Sequence, residues 1–332
     1  MTVSAGQLEI DAPDAAPEET SKIVGRSPWQ IARSRLVRDK VSMAAFTVVC
    51  IYFVMAVSAP ILEKLGVIDP YSLHTNLLNL EDAMPTGNFG GVSGSHWFGV
   101  EPQTGRDLLS RLVSGVTLSM LIAVSATIFS IVVGTIVGII GGYMGGVVDF
   151  VLGRVLDLIL AFPQLLMLLA LSVVLIEKIT NLGVPAGNPS RIVYLILVLG
   201  FFGFPYFARI IRGQVLSLRE REFVEAARSL GARGPRIWFT ELLPNLWAPI
   251  LVYTSLILPA NVSTEAALSF LGVGVGTPTP TLGNVLTDSV NFLIPDPTYF
   301  ALPGLAIFAI VLSFNLLGDG LRDALDPKSD RG

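Results

Sequence analysis

The chain has 332 residues, 52% of them hydrophobic and only 14% charged, where a soluble domain carries about 25% charged residues. Its formal net charge is −4 and it holds two histidines, so no nucleic-acid partner is expected. The single cysteine, Cys50, lies inside an apolar run, which excludes a disulfide framework or a CxxC metal or redox site within the chain.

Residues 1–26 are acidic and small, with Glu9, Asp11, Asp14, Glu18 and Glu19 beside Pro13 and Pro17. They read as a disordered cytoplasmic tail. Lacking a basic start and a short apolar stretch, they do not form a secretory signal. Residues 27–40 set Trp29, Ile31, Leu36 and Val37 among basic side chains, which suits either a short helix on the inner membrane surface or a plain basic flank.

Crossing about 30 Å of hydrocarbon takes roughly 20 apolar residues, and six such spans follow. The first is 41–60. An outer segment, 61–111, carries both histidines, His74 and His96, and a glycine-rich stretch from Gly87 to Gly94. A core of residues 112–322 then supplies five more spans. The uncharged stretch Leu112 to Val148 is too long for one span and is expected to turn at Gly141, Gly142, Gly145 and Gly146. Gly134 and Gly138 offer a small-xxx-small face for close helix packing. The third span runs from Phe150 to Ile176, the fourth from Ile192 to Phe207, the fifth from Leu246 to Leu271 and the sixth from Tyr299 to Leu317. Asp149, Arg154 and Asp157 are expected to pair with one another and fix the turn at the inner interface. Residues 323–332 form a cytoplasmic tail. The alternation of membrane barrel strands is absent, so the fold class is all-α, integral to the membrane.

With the N-terminus inside, seventeen of the 22 Lys and Arg residues fall on the cytoplasmic side, and Lys64, Arg106, Arg111, Lys178 and Arg191 fall outside. The positive-inside rule therefore predicts both termini in the cytoplasm. The loop 212–245 then faces the cytoplasm. Within it Ser217 and Glu220 fit a capping box that would start a helix, Gly231 fits the left-handed residue that would end it, and Pro235 suits the first turn of a second helix. Phe223, Ala226, Ala227 and Leu230 fall at helical spacing, a partly apolar, partly small face suited to another protein's groove.

That loop resembles the EAA motif of ABC importer permeases, in Glu225-Ala226-Ala227, then Gly231, Ile237 and Leu243-Pro244. Further motifs resemble the C-type subunit of the dipeptide/oligopeptide/nickel group. They are His96, Gly99, Gly105, Arg106 and Asp107 before span two, the Gly141-Gly142-Tyr143 turn, and Glu265 to Gly272 with Pro278 to Asn284. The chain departs from the pattern in Val100-Glu101, in Thr117 where arginine is common, and in Leu282 where tryptophan is frequent.

The resemblance implies a type I ABC importer permease fold of six transmembrane helices with a cytoplasmic coupling helix, in a bacterial inner membrane. It implies a related B-type permease, two ATPase subunits that bind ATP and Mg, an extracytoplasmic substrate-binding protein and surrounding lipid as partners, with no cofactor in this chain. Coupling would rest on Glu222, Glu225, Ala226, Ala227 and Gly231. No GxxxxGK[ST], HExxH or GxSxG sequence occurs, so the chain has no P-loop of its own and is expected to be a transport subunit rather than an enzyme. Glu265, with Asn261 and Thr264 beside it and Asn315 on span six, is an intramembrane candidate for the translocation path or for an intersubunit hydrogen bond. Peptides are the first choice of cargo, with nickel or another small solute as the alternative. A secondary transporter would show internal repeats and several ion ligands. A two-histidine metal site is not expected.

Overall fold

The computed structural model describes residues 28–325, so the expectations for residues 1–26 and for the end of the C-terminal tail lie outside it. The described chain is helical apart from loops. Helix α1, Pro28–Arg38, precedes α2, Lys40–Lys64, which Asp39 caps by accepting from the backbone of Val41 and Ser42. The outer segment that follows is mostly turns, with one short 3-10 helix at Thr75–Leu77.

Helix α3, Leu108–Met144, is a single rod of 37 residues, about 55 Å long at 1.5 Å per residue. It does not turn at Gly141 and Gly142, which stay helical; the chain reverses at Gly145 (φ +65°). The expected third span is two helices, α4 (Gly146–Ala161) and α5 (Gln164–Asn181). Pro163 disfavours helical geometry at the residue before it, and Phe162 is extended at φ −82°, ψ 134°.

Helix α6, Asn188–Leu218, runs 31 residues along α3. The contact needs glycine on α3. A Cβ on Gly134 would stand 2.9 Å from the Phe204 carbonyl oxygen, and one on Gly138 2.7 Å from that of Ala208. Because α6 continues through Ser217, the capping box expected of Ser217 and Glu220 does not form. The short α7, Glu222–Ser229, starts instead after Arg221, which is extended.

One turn at Gly234–Arg236 (α8) leads through a π-helical stretch, Ile237–Leu242, and a 3-10 turn, Leu243–Asn245, into α9, Trp247–Phe270. The two parts meet at 67°. After α9 come a loop and α10, Leu282–Ser289, opened by a capping box between Thr281 and Asn284. Helix α11, Pro297–Leu325, continues past Leu317, where the sixth span was expected to end. Among the described residues, five helices are long and apolar enough to cross a membrane, and a sixth span is completed if the bent pair ending in α9 is one crossing.

Candidate functional site: a helix at one end and polar clusters in the bundle

Helix α7 is anchored by one side of its surface only. Val224 is fully buried among Ile211, Val215, Ile237 and Leu242, and Ala227 packs against the same cluster. Arg228 lies over the Tyr143 ring at 5.0 Å, and Trp238 meets that ring edge-on at 6.0 Å. The other side is open: Glu222, Glu225 and Ala226 are exposed, and Leu230 is 88% exposed. Ala227 therefore leaves the face it was expected to share with Phe223, Ala226 and Leu230. Gly231 does take the left-handed conformation, at φ +80°, which an L side chain adopts at a cost of about 1–2 kcal/mol.

The bundle interior holds the intramembrane candidates. Glu265 is completely buried and accepts hydrogen bonds from Ser119 on α3 and Ser269 on its own helix, each at 2.9 Å. Ser119 in turn accepts from the Leu282 backbone at 3.1 Å, which ties the α10 loop to the same carboxylate. One turn away Asn261 donates to Thr127 at 2.9 Å. Half-buried Thr264 bonds the Ala260 carbonyl of its own helix, and Asn315, half-buried on α11, makes no hydrogen bond to the other three. Glu265 and Asn261 thus join α9 to α3, the interhelix role. The loop beyond α9 is held from α6 as well, by Asn188 on Gly276 and Arg191 on Gly274.

At the other end, the outer motif forms one network around the start of α3. Asp107 caps the helix by accepting from Ser110 N at 2.7 Å, and His96 Nδ1 donates to Asp107 at 2.9 Å. Gly99 and Gly105 have φ of +77° and +70°, and a Cβ on Gly105 would meet the His74 carbonyl at 2.5 Å. His74, expected to stand apart from His96 across a loop, is brought to it: the ring centroids are 5.0 Å apart. Both line a cavity of 430 Å³ with Asp69 and Asp107. Among the described residues no group of three or more His, Cys, Asp or Glu could hold a metal ion.

Two residues matter here that the motif did not single out. Glu101 and Arg111 form an ion pair with side chains only 3% and 0% exposed, and Arg111 Nη1 donates to the Pro278 carbonyl at 2.9 Å. Burial pushes the Glu101 carboxyl up, while Arg111, Thr104 and Arg106 oppose that. Thr117, in the position where arginine is common, donates instead to the Ala56 carbonyl of α2 at 3.0 Å.

Asp149, Arg154 and Asp157 do not form the closed set expected. Asp149 takes a two-pronged bond from Arg212 on α6, and Asp157 pairs with Arg209 on α6, leaving Arg154 3.9 Å from Asp157. These ion pairs join α4 to α6 beside the apolar packing of Leu156 against Phe204 and Ala208, and the turn itself rests on Gly145.

Residues 134–331 match the family described as binding-protein-dependent transport system inner membrane component, and residues 27–83 match the N-terminal TM domain of oligopeptide transport permease C. The chain is 34% identical over 327 residues to the dipeptide transport system permease protein DppC of Alkalihalophilus pseudofirmus, covering 98% of each. It is 36% identical over 303 residues to the glutathione transport system permease protein GsiD of Shigella flexneri, covering 91% of each. Among solved structures, an inward-facing MetNI methionine ABC transporter chain matches with a TM-score of 0.51 at 20% identity, over 66% of this chain and 98% of that one. That likeness concerns the fold.

Proposed function

Because the chain belongs to the family of binding-protein-dependent transport system inner membrane components, we propose that it is the C-type permease subunit of an ATP-driven importer of dipeptides or oligopeptides. The observation that carries this reading is α7: a short helix fixed to the bundle through Val224 and Arg228, with Glu225, Ala226 and Leu230 uncovered. A helix held on one side and bare on the other suits a groove in a partner protein. In this reading the partner is an ATPase subunit that binds ATP and Mg. Its movement tilts α6 and α9, the spans joined on either side of the loop, and so alternates access to a path shared with a B-type permease.

Glu222, Glu225, Ala226, Ala227 and Gly231 would form and hold the coupling surface, with both termini cytoplasmic. A substrate-binding protein would dock on the outer segment. Asn261, Thr264, Glu265 and Asn315 are the path or intersubunit candidates, of which Glu265 and Asn261 already serve as interhelix bonds. The relative named for glutathione transport favours a second reading, in which the cargo is that small peptide.

The test is uptake of a labelled dipeptide by vesicles carrying the assembled transporter. Wild type should require ATP, and Glu225→Arg should abolish uptake while the complex still inserts and assembles. Uptake without ATP or without partner subunits would refute the importer reading.

A further inference from the structure

Helix α4 carries an exposed apolar face: Phe150, Val151, Val155 and Leu158 are 62%, 51%, 47% and 61% exposed. In the middle of that face stands Arg154, with a side chain 70% exposed, beside Asp157 at 51%. Arg154 lies nine residues beyond the reversal at Gly145, about 13 Å along the helix. A guanidinium in the middle of an exposed apolar face is costly against lipid, so such groups turn to a protein interior or to water. Here the space exists, as an open cavity of 520 Å³ between α4 and α6.

The charges lining this cavity do not balance. Asp149 is taken by Arg212 through both of its oxygens, and Asp157 by Arg209. Three guanidiniums thus face two carboxylates, and Arg154 is the one left over. It shares Asp157 at 3.9 Å and lies over the Phe150 ring at 5.2 Å. A planar guanidinium held by an aromatic ring, with its fork open to a cavity, matches a carboxylate.

We propose that Arg154, flanked by the Asp157–Arg209 pair, forms a cargo site in the inner part of the translocation path and takes the carboxylate of a solute such as a short peptide. The site rests on the importer reading and adds to it the group that meets the cargo's charged end. It lies on α4, away from the α9 and α11 positions singled out by sequence.

Two measurements on the assembled transporter test it. In a Cys50→Ser background, Arg154→Cys should react with a cationic methanethiosulfonate added from the cytoplasmic side. The rate should exceed that of Val54→Cys, on the exposed face of α2, by about tenfold or more, since the reagent reaches water-filled space and not hydrocarbon. Arg154→Gln should lower the maximal ATP-driven uptake of glycylglycine about tenfold, the loss of one charge-assisted hydrogen bond. It should slow the C-terminal amide of the same dipeptide far less, and Arg154→Lys should recover part of the loss. A cysteine that stays unreactive in the complex, because a partner subunit or lipid covers it, overturns the proposal. So does a Gln variant that slows peptide and amide alike. A wild-type complex with no ATP-driven uptake would instead refute the importer reading, and the labelling result would still report whether Arg154 faces water.

Discussion

Arg111 and Glu101 place opposite charges where no solvent reaches, and each depends on the other to remain there. Removing one partner of a buried pair leaves an uncompensated charge and costs about 3–5 kcal/mol, whereas replacing both by apolar groups of similar size is often neutral or favourable. Arg111→Met alone should therefore lower the thermal midpoint of the purified, detergent-solubilised chain well below wild type, and Glu101→Leu added to it should restore most of the loss. A single variant as stable as wild type would show that the pair is not a fastener of the outer segment. In the sequence Arg111 reads as one of five basic residues on the outer side and Glu101 as a departure from a motif. Nothing local marks them as partners, because what joins them is the fold of the Gly99–Asp107 turn back over the start of α3. By contrast Asp107, Gly99, Gly105 and His96 were legible through the family motif they resemble, and the structure supplies local reasons for three of them, a helix cap at Asp107 and left-handed turns at Gly99 and Gly105.

The α3–α6 contact shows the same contrast among helices. Gly134 and Gly138 recur every four residues, a period visible in the sequence, and the structure sets each against the α6 backbone. Overpacking so close a contact typically costs about 1–3 kcal/mol and more for large side chains. Gly138→Leu should sharply reduce the yield of folded, monodisperse chain and Gly138→Ala should reduce it less. Gly213, also helical but with nothing within 4 Å of a Cβ, is the control: Gly213→Ala should leave the thermal midpoint unchanged or raise it, helix-interior glycine costing roughly 0.5–1 kcal/mol relative to alanine. Equal effects at 138 and 213 would mean that the close approach is not limiting. Helix ends were less legible than helix faces. The Ser217–Glu220 capping signal contributes only about 1 kcal/mol, and it gives way to a continuous α6 whose Val215 and Leu218 join the cluster under α7. The split of span three hangs on Pro163, which a hydropathy window passes over.

For the molecule as a whole, topology is the property on which coupling and cargo access both depend, and it turns on whether the bent segment ending in α9 crosses the membrane. The contacts argue that it does. The loops on either side of α10 stand at the same end as the outer segment: a Cβ on Gly90 would be 2.8 Å from Asp296 Oδ2 in the loop after it, and Arg111 at the start of α3 reaches the Pro278 carbonyl in the loop before it. Helix α7, before the bend, lies at the far end of α3, against Tyr143. Three exposed positions read this out: Leu80 in the outer segment, Leu230 at the end of α7 and Ile294 after α10, which are 100%, 88% and 91% exposed. In whole cells, with Cys50→Ser as background, a membrane-impermeant thiol reagent should label Leu80→Cys and Ile294→Cys. It should reach Leu230→Cys only after the membrane is opened. The inverse pattern would reverse the orientation inferred from the lysine and arginine placement and set α7 outside, away from any cytoplasmic ATPase. If Leu230 and Ile294 instead report the same side, the bent pair is re-entrant, the chain has five spans, and its two ends lie on opposite faces.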